Sequence, residues 1–499
     1  MTKTIQFTFL FFFFCGLIQA QVSNSSPNII FIAVDDLKPT IGAFGDDLAH
    51  TPTINLLAQN ATVFLNNHTQ QAVCGPSRAS LMTGKRPDFT KVRDLKTKMR
   101  DMVPDIVTIP QFFRDNGYTT VGLGKIYDPR CVDKFRDKPS WSVPHMPEHK
   151  FEYPSDYGPP AMGFYQDPKN KAHIQDLRNE AKANGIKNLG KYLRDTFKPP
   201  FESSDAPDEA YVDGALAIYA NKFLDEYKLE SSEPFFLAVG FKRPHLPFTP
   251  PKRYWDMYDP SKFKINEFQQ NSKNGPGIAY HSSGELRSYI TPEISYEVSN
   301  SNRVILSDEF QKDLIHGYYA STSFIDAQIG KIMDKLKTTG LDKNTIIVIW
   351  GDHGWHLGDQ QVWGKHTLFE NALKSPLIIH LPGATTPRSI TSITETVDLY
   401  PTLLELANVN FSHPIDGVSL VPQLQGKKNT DEVAYSYYNN GISLRTQRYR
   451  LTKYWREESP TLELYDHETD PFETRNIAQE QAEIVAQLLP LLEKGNTGI

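Results

Sequence analysis

Asn28-Ile-Ile-Phe-Ile-Ala-Val34, followed at once by Asp35-Asp36, is the stretch that decides the fold. An uncharged run of this kind predicts a strand buried on both faces, as in a parallel sheet covered by helices. Similar runs recur at residues 119–122, 235–240, 345–350 and 377–381. Helical spacing lies between them: Val212, Leu216, Tyr219 and Phe223 form one stripe, and Leu314, Tyr318, Ile325, Ile329, Ile332 and Leu336 another. Strands alternating with helices predict an α/β fold whose large, mostly parallel sheet is sandwiched by helices. Residues 128–207 and 258–304 break the pattern and read as long surface excursions, which usually carry function or specificity. From about residue 431 short alternating segments (432–437, 441–444, 449–454, 462–465) precede an amphipathic helix over 478–492. They predict a smaller C-terminal α+β subdomain at 431–499, after a main domain at 21–430.

Lys plus Arg is 53 and Asp plus Glu is 59, a net charge of −6 that leaves no basic footprint for nucleic acid. An anionic substrate would therefore have to be held by local cations. Residues 1–20 read as a signal peptide: Lys3, an apolar run over 5–18, then Ile18-Gln19-Ala20 before a cleavage point. The run is too short for a membrane span, no other stretch is apolar enough, and the expectation is export to the periplasm or outside the cell. Cys15 lies in that run, but the Phe residues before it are not the small ones that lipid attachment prefers. Of the three cysteines only Cys74 and Cys131 would then remain, too few for a disulfide framework. A single bridge between them stays open on numbers, though Cys131 reads as a buried small hydrophobe.

Polar groups follow the apolar runs directly. Asp35-Asp36 follows Val34, Gly124-Lys125 follows Gly122, Arg243-Pro-His245 follows Gly240, and Asp352-His353 follows Trp350. In open α/β sheets ligands bind beyond the carboxyl ends of the strands, so these groups point to one shared site. Three carboxylates and an imidazole call for a compensating cation, and oxygen-rich ligation favours Ca²⁺ or Mg²⁺. In Cys74-Gly-Pro-Ser-Arg78, Pro76 suits the first position of a short helix. Cys74 would then sit at the helix N-terminus, where the dipole favours an anion.

Cys74-Gly-Pro-Ser-Arg78 with Thr83-Gly84 resembles the signature of the formylglycine-dependent sulfatases of the alkaline-phosphatase-like superfamily, with Met82 where Leu is usual. Gly84-Lys-Arg-Pro-Asp88, Thr108-Ile-Pro-Gln-Phe-Phe113 and Pro244-His-Leu-Pro-Phe248 are similar to the iduronate-2-sulfatase branch, and Leu464-Tyr-Asp-His-Glu-Thr-Asp-Pro471 resembles the family's last subdomain. The resemblance implies that a maturation enzyme converts Cys74 to formylglycine. It also implies one Ca²⁺ held by Asp35, Asp36, Asp352 and His353, with residue 74 completing the shell. Arg78 and Lys125 would fix the formylglycine hydrate, Lys365 would hold the sulfate, and His245 would protonate the leaving alcohol. Trp355, His356, His68 and His366 flank these positions as sugar contacts. One departure is Asp128, where the iduronate enzymes tend to have His. The implied activity is removal of sulfate from a uronic-acid-containing polysaccharide or oligosaccharide, of glycosaminoglycan or ulvan type. The alternatives are a phosphate or phosphonate ester hydrolase on the same scaffold and a non-catalytic sulfated-glycan binding protein.

Overall fold

The opening run forms β1 (Asn28–Val34), buried along its whole length. The structure is a computed structural model and describes residues 26–230, 233–427, 432–455 and 460–497. The expected signal peptide at 1–20, Cys15 and the expected boundary at residue 431 lie outside the described residues. In chain order the other strands of the main sheet are β2 (Thr62–Phe64), β3 (Thr119–Gly124), β4 (Phe235–Phe241), β5 (Thr345–Gly351), β6 (Leu377–His380) and β7 (Arg388–Ile390). Across the sheet they lie in the order β7-β2-β6-β5-β1-β4-β3. Pairing is parallel except at β6, which runs against both β5 and β2. The chain leaving β5 makes no crossover helix; it stays at the carboxyl end of the sheet and re-enters there, so Leu377 pairs with Trp350.

Alternation along β1 shows why the run is apolar throughout. Ile30, Ile32 and Val34 enter one core with Leu216 and Leu224 of one helix and Ile325 and Ile329 of another. Ile29, Phe31 and Ala33 enter a second core with Leu81, Phe113 and Leu403. The helices concerned are α1 (Cys74–Thr83), α2 (Ile109–Asp115), α5 (Val212–Glu230), α6 (Asp308–Thr339) and α7 (Leu399–Leu406). The first excursion is not structureless. It carries α3 (Pro168–Ala183) and α4 (Leu189–Thr196), packed on a small core of Tyr165, Ile174, Leu177, Leu193 and Phe197.

The C-terminal part is an antiparallel meander, β8 (Ala434–Tyr438), β9 (Gly441–Arg445), β10 (Tyr449–Tyr454) and β11 (Thr461–Asp466), covered by α8 (Ala482–Lys494). Leu444, Leu451 and Leu464 meet Val485 and Leu492 in its core. It docks against the main sheet's loops, where the Tyr437 N–H donates to the Gln70 carbonyl at 2.7 Å and the Ser436 hydroxyl to that of Thr69 at 2.7 Å. No described helix is long and apolar enough to cross a membrane.

Candidate active site

α1 opens the site. It begins at Cys74 itself, so Pro76 is its third residue and not the first as expected. Proline is tolerated there because the first turn's N–H groups have no intrahelical acceptor to lose. Arg78 lies one turn on, on the face that carries Cys74. Its guanidinium binds three strand ends together: Nε donates to Asp352 Oδ2 at 2.9 Å, Nη2 to Asp35 Oδ1 at 3.0 Å, and Nη1 to the Ile126 carbonyl at 3.2 Å. A fully buried guanidinium so paired fixes geometry more than it adds stability.

The carboxylates are held as firmly. Asp36 has φ +60°, a left-handed conformation that a non-glycine residue adopts only at a cost. Its N–H donates to Asp352 Oδ1 at 2.9 Å, and its carbonyl accepts from the Tyr318 hydroxyl at 2.7 Å. Lys125 reaches the site because Gly124 and Gly240 meet back to back. A Cβ on Gly124 would lie 2.3 Å from the Gly240 carbonyl oxygen, so only glycine permits the crossing. Lys125 Nζ then pairs with Asp35 Oδ2 at 2.5 Å. Lys365 Nζ pairs with Asp36 Oδ1 at 2.6 Å and lies 3.5 Å from Cys74 Sγ. Burial works against the Lys365 charge, yet the carboxylate of Asp36, with those of Glu285 and Asp35, holds its pKa well above the usual lysine value.

Cys74 is 2% exposed. Burial, helped by Asp35, pushes its thiol well above the ordinary range, so an unmodified Cys74 stands as a neutral thiol and a poor nucleophile. Cys131 is buried and free like Cys74, with no bridge between them.

The donor set fits a hard cation. Asp36 Oδ2 is buried with no hydrogen-bond partner. His353 has its Nδ1 on the Gly354 carbonyl at 3.0 Å, which turns the Nε2 lone pair toward Asp36 Oδ1 at 3.4 Å and Asp352 Oδ1 at 3.6 Å. A lone pair facing two carboxylate oxygens is repulsive unless a positive charge lies among them. Ligand atoms of Asp35, Asp36, Cys74 and His245 fall within 4.8 Å of one another, as do those of Cys74, Asp352 and His353.

His245 stands opposite Cys74 with both ring nitrogens facing oxygen. Nδ1 meets the Leu246 carbonyl, and Nε2 lies 3.1 Å from Glu285 Oε1 and 3.9 Å from Asp36 Oδ2. Glu285 is a site residue that the sequence does not single out. It comes from the second excursion, on the short turn Gly284–Arg287, and its Oε2 lies 3.5 Å from Lys365 Nζ. Burial pushes its carboxyl up, but Lys365 and His245 outweigh that and hold it well below the usual range.

Three of the four expected sugar contacts are corrected. Trp355 is 1% exposed and lies beneath Lys365, its ring centroid 5.1 Å from Nζ. His356 is buried on Thr367 Oγ1 at 2.9 Å, and burial pushes its imidazole down to about 4. Neither lines the cavity, because the turn after Asp352 and His353 directs both rings into the protein. His68 likewise is buried on Glu370 at 3.1 Å, whereas His366 does line the cavity and stacks on Tyr438 of β8. Asp128 lines it too, but not as a free anion: Arg130 clasps both its oxygens at 2.7 and 2.8 Å.

Cys74, Lys125, His245 and Lys365 form the floor of a cavity of about 550 Å³. Its walls come from the two excursions, with Arg130, Arg136 and Lys198 from the first and Glu285 and Tyr289 from the second.

Residues 27–409 match the family model described as Sulfatase, and residues 351–497 the one described as N-sulphoglucosamine sulphohydrolase, C-terminal. Iduronate 2-sulfatase of Mus musculus is 30% identical over 442 residues, covering 82% of this chain and 74% of that protein. A sulfatase of Formosa agariphila is 30% identical over 496 residues, covering 95% and 88%. A solved structure in complex with D-glucosamine-2-N,6-O-disulfate, described as its substrate, superposes with a TM-score of 0.71 at 21% identity, covering 95% of this chain and 98% of that one. The chain belongs to the sulfatase family, has the alkaline-phosphatase-like fold, and is a sulfuric ester hydrolase.

Proposed function

We propose that the chain removes sulfate from a sulfated, uronic-acid-containing polysaccharide or oligosaccharide of glycosaminoglycan or ulvan type, using formylglycine made from Cys74 and one calcium ion. The observation that carries this reading is the placement of Cys74. Its Sγ lies 3.5 Å from both Lys365 Nζ and His353 Nε2, among carboxylates that call for a cation. Asp35, Asp36, Asp352 and His353 would hold the ion with residue 74, and oxygen-dominated ligation favours calcium. When bound, the ion supplies charge neutralisation for the sulfate oxygens. Residue 74, converted to formylglycine, would supply as its hydrate one hydroxyl to attack sulfur and a second to expel the sulfate.

The chain's own groups do the rest. Arg78 fixes Asp35 and Asp352, while Lys125 and Lys365 neutralise the incoming anion in a water-poor floor where such charges count most. His245 Nε2 holds the proton that the departing alkoxide needs. Because Cys74 is buried in the folded chain, the maturation enzyme must reach it before folding is complete. Support for the substrate class comes from the iduronate 2-sulfatase relative and from the sulfated sugar of the structural neighbour. The apolar N-terminal run supports export to the periplasm or beyond.

The test combines mass spectrometry at residue 74 with parallel rates on nitrophenyl sulfate, nitrophenyl phosphate and a panel of sulfated oligosaccharides. Expected are an aldehyde at residue 74, calcium-dependent preference for sulfate, and desulfation of uronate-containing members. Full activity with an intact thiol would overturn the nucleophile. Desulfation confined to neutral sugars would overturn the substrate class.

A further inference from the structure

The cations lining the cavity fall into two groups. Lys125, Lys365, Arg130, Lys242 and Arg243 each face a carboxylate: Asp35, Asp36, Asp128, Glu148 and Asp213 respectively. Among the described residues, Lys198 and Arg136 line the same cavity with no carboxylate in ion-pair contact. They differ in how they are held. Arg136 has no side-chain partner among the described residues. Lys198 is fixed: its ammonium lies 3.5 Å from the Tyr289 ring centroid and 3.3 Å from Ser288 Oγ. Its backbone N–H also donates to the Ile290 carbonyl at 2.6 Å, so one excursion is tied to the other at this point.

A cation stacked on an aromatic face and half withdrawn from water has lost hydration that the ring only partly replaces. Burial lowers the Lys198 pKa to about 8, which leaves it mostly charged at neutral pH. It is therefore preorganised for an anion, because the cost of ordering a long side chain has been met before a ligand arrives. Its place is set by the turn at Glu285. Glu285 touches Lys365 and His245 at the floor, while Ser288 and Tyr289, next along the chain, carry Lys198 outward along the wall.

We propose that Lys198 is a specificity-determining residue that binds a second anionic group of the substrate, a carboxylate or another sulfate, beyond the sulfate ester being cleaved. The inference rests on the sugar-sulfate reading above and adds to it the residue that separates two-anion from one-anion substrates. It also assigns a task to excursions that the sulfate chemistry does not require.

The experiment compares Lys198→Met and Lys198→Arg with the parent on four substrates. These are nitrophenyl sulfate, a neutral-sugar monosulfate, a sulfated uronic acid and a disulfated hexosamine. With Lys198→Met, KM on a two-anion substrate should rise about tenfold or more while kcat stays within about twofold, in line with one lost charge-assisted contact. KM on the two one-anion substrates should hold, and Lys198→Arg should recover most of the loss. A rise confined to the uronic acid identifies a carboxylate as the bound group, and one confined to the hexosamine identifies a sulfate. An equal KM change on all four substrates would overturn the proposal, as would no change on either two-anion sugar. If the parent itself cleaves nitrophenyl sulfate but no two-anion sugar, the substrate reading falls. If it cleaves them and Lys198→Met does so equally well, only the role of Lys198 falls.

Discussion

At the carboxyl ends of β1 and β5 each aspartate is paired with a lysine or arginine, whereas on the wall of the same cavity Lys198 and Arg136 have no carboxylate in ion-pair contact among the described residues. The floor is rigid: Arg78 alone joins Asp35, Asp352 and the backbone after β3. The wall is made of excursions, partly exposed, with Lys198 held ready. The contrast separates cleavage of the sulfate ester, which the floor performs, from recognition of the rest of the substrate, which falls to the wall. Substitutions in the floor should therefore lower kcat on every substrate, and substitutions in the wall should move KM on some.

The largest effect belongs to Cys74. Cys74→Ala should reduce turnover of all sulfate esters by at least ~10³-fold, since it removes the nucleophile's precursor. The melting temperature should stay within a few degrees, because one sulfur atom is lost from a large core. Residual activity of more than a few per cent would remove Cys74 from the mechanism. Next comes the cation. Chelation should abolish turnover and lower the melting temperature together, because an ion bound only by the folded state stabilises that state. Calcium should restore both better than zinc. Undiminished activity in protein shown by elemental analysis to be metal-free would end the case for a cation among Asp36 Oδ2 and His353.

His245 tests the floor against its leaving group. His245→Ala should cost ~10²–10⁴-fold in kcat on sugar sulfates, the usual worth of general acid catalysis, and far less on nitrophenyl sulfate. A nitrophenolate departs without a proton and a sugar alkoxide does not. Equal losses on both would leave His245 a positioning residue.

The floor was legible in the sequence and the wall was not, for physical reasons. A strand buried on both faces must be apolar throughout, so β1 announces itself, and Asp35-Asp36 directly after it falls at the ligand-binding edge. Cys74-Gly-Pro-Ser-Arg78 is local and dense. By contrast β2 and β7 are three-residue strands, too short for any periodicity, and the reversal of β6 depends on a missing crossover rather than on its own residues. α8 begins at Ala482, four residues later than the amphipathic stripe suggests. Trp355 and His356 mislead because nearness to Asp352 in the chain does not say which way a turn directs each ring. Glu285 carries no signal at all: it is one acidic residue in a long irregular stretch, and only the folded chain sets it on Lys365 and His245.

Glu285 sits where floor and wall meet, and its substitution gives the smallest and sharpest effect. Its carboxylate contacts Lys365, at 3.5 Å, the lysine proposed to hold the sulfate, and His245, at 3.1 Å, the proposed acid for the leaving alcohol. A bound sulfate would therefore lie beside a second negative charge. At about 4 Å two unit charges interact by ~1 kcal/mol even at the dielectric of water, so this repulsion is worth roughly fivefold in affinity. Glu285→Gln keeps the shape and one acceptor but removes the charge. KM for nitrophenyl sulfate should then fall a few-fold, while Lys198→Met, farther out on the wall, leaves that KM where it was. The kcat on sugar sulfates should fall in the same variant, because the amide accepts the His245 N–H more weakly and holds the ring less firmly for proton transfer. A lowered KM alongside a lowered kcat distinguishes this from simple loss of structure, which would raise KM while lowering kcat. A raised KM would mean that Glu285 leaves the floor when sulfate enters, and that the boundary between the two regions is not fixed but moves with the substrate.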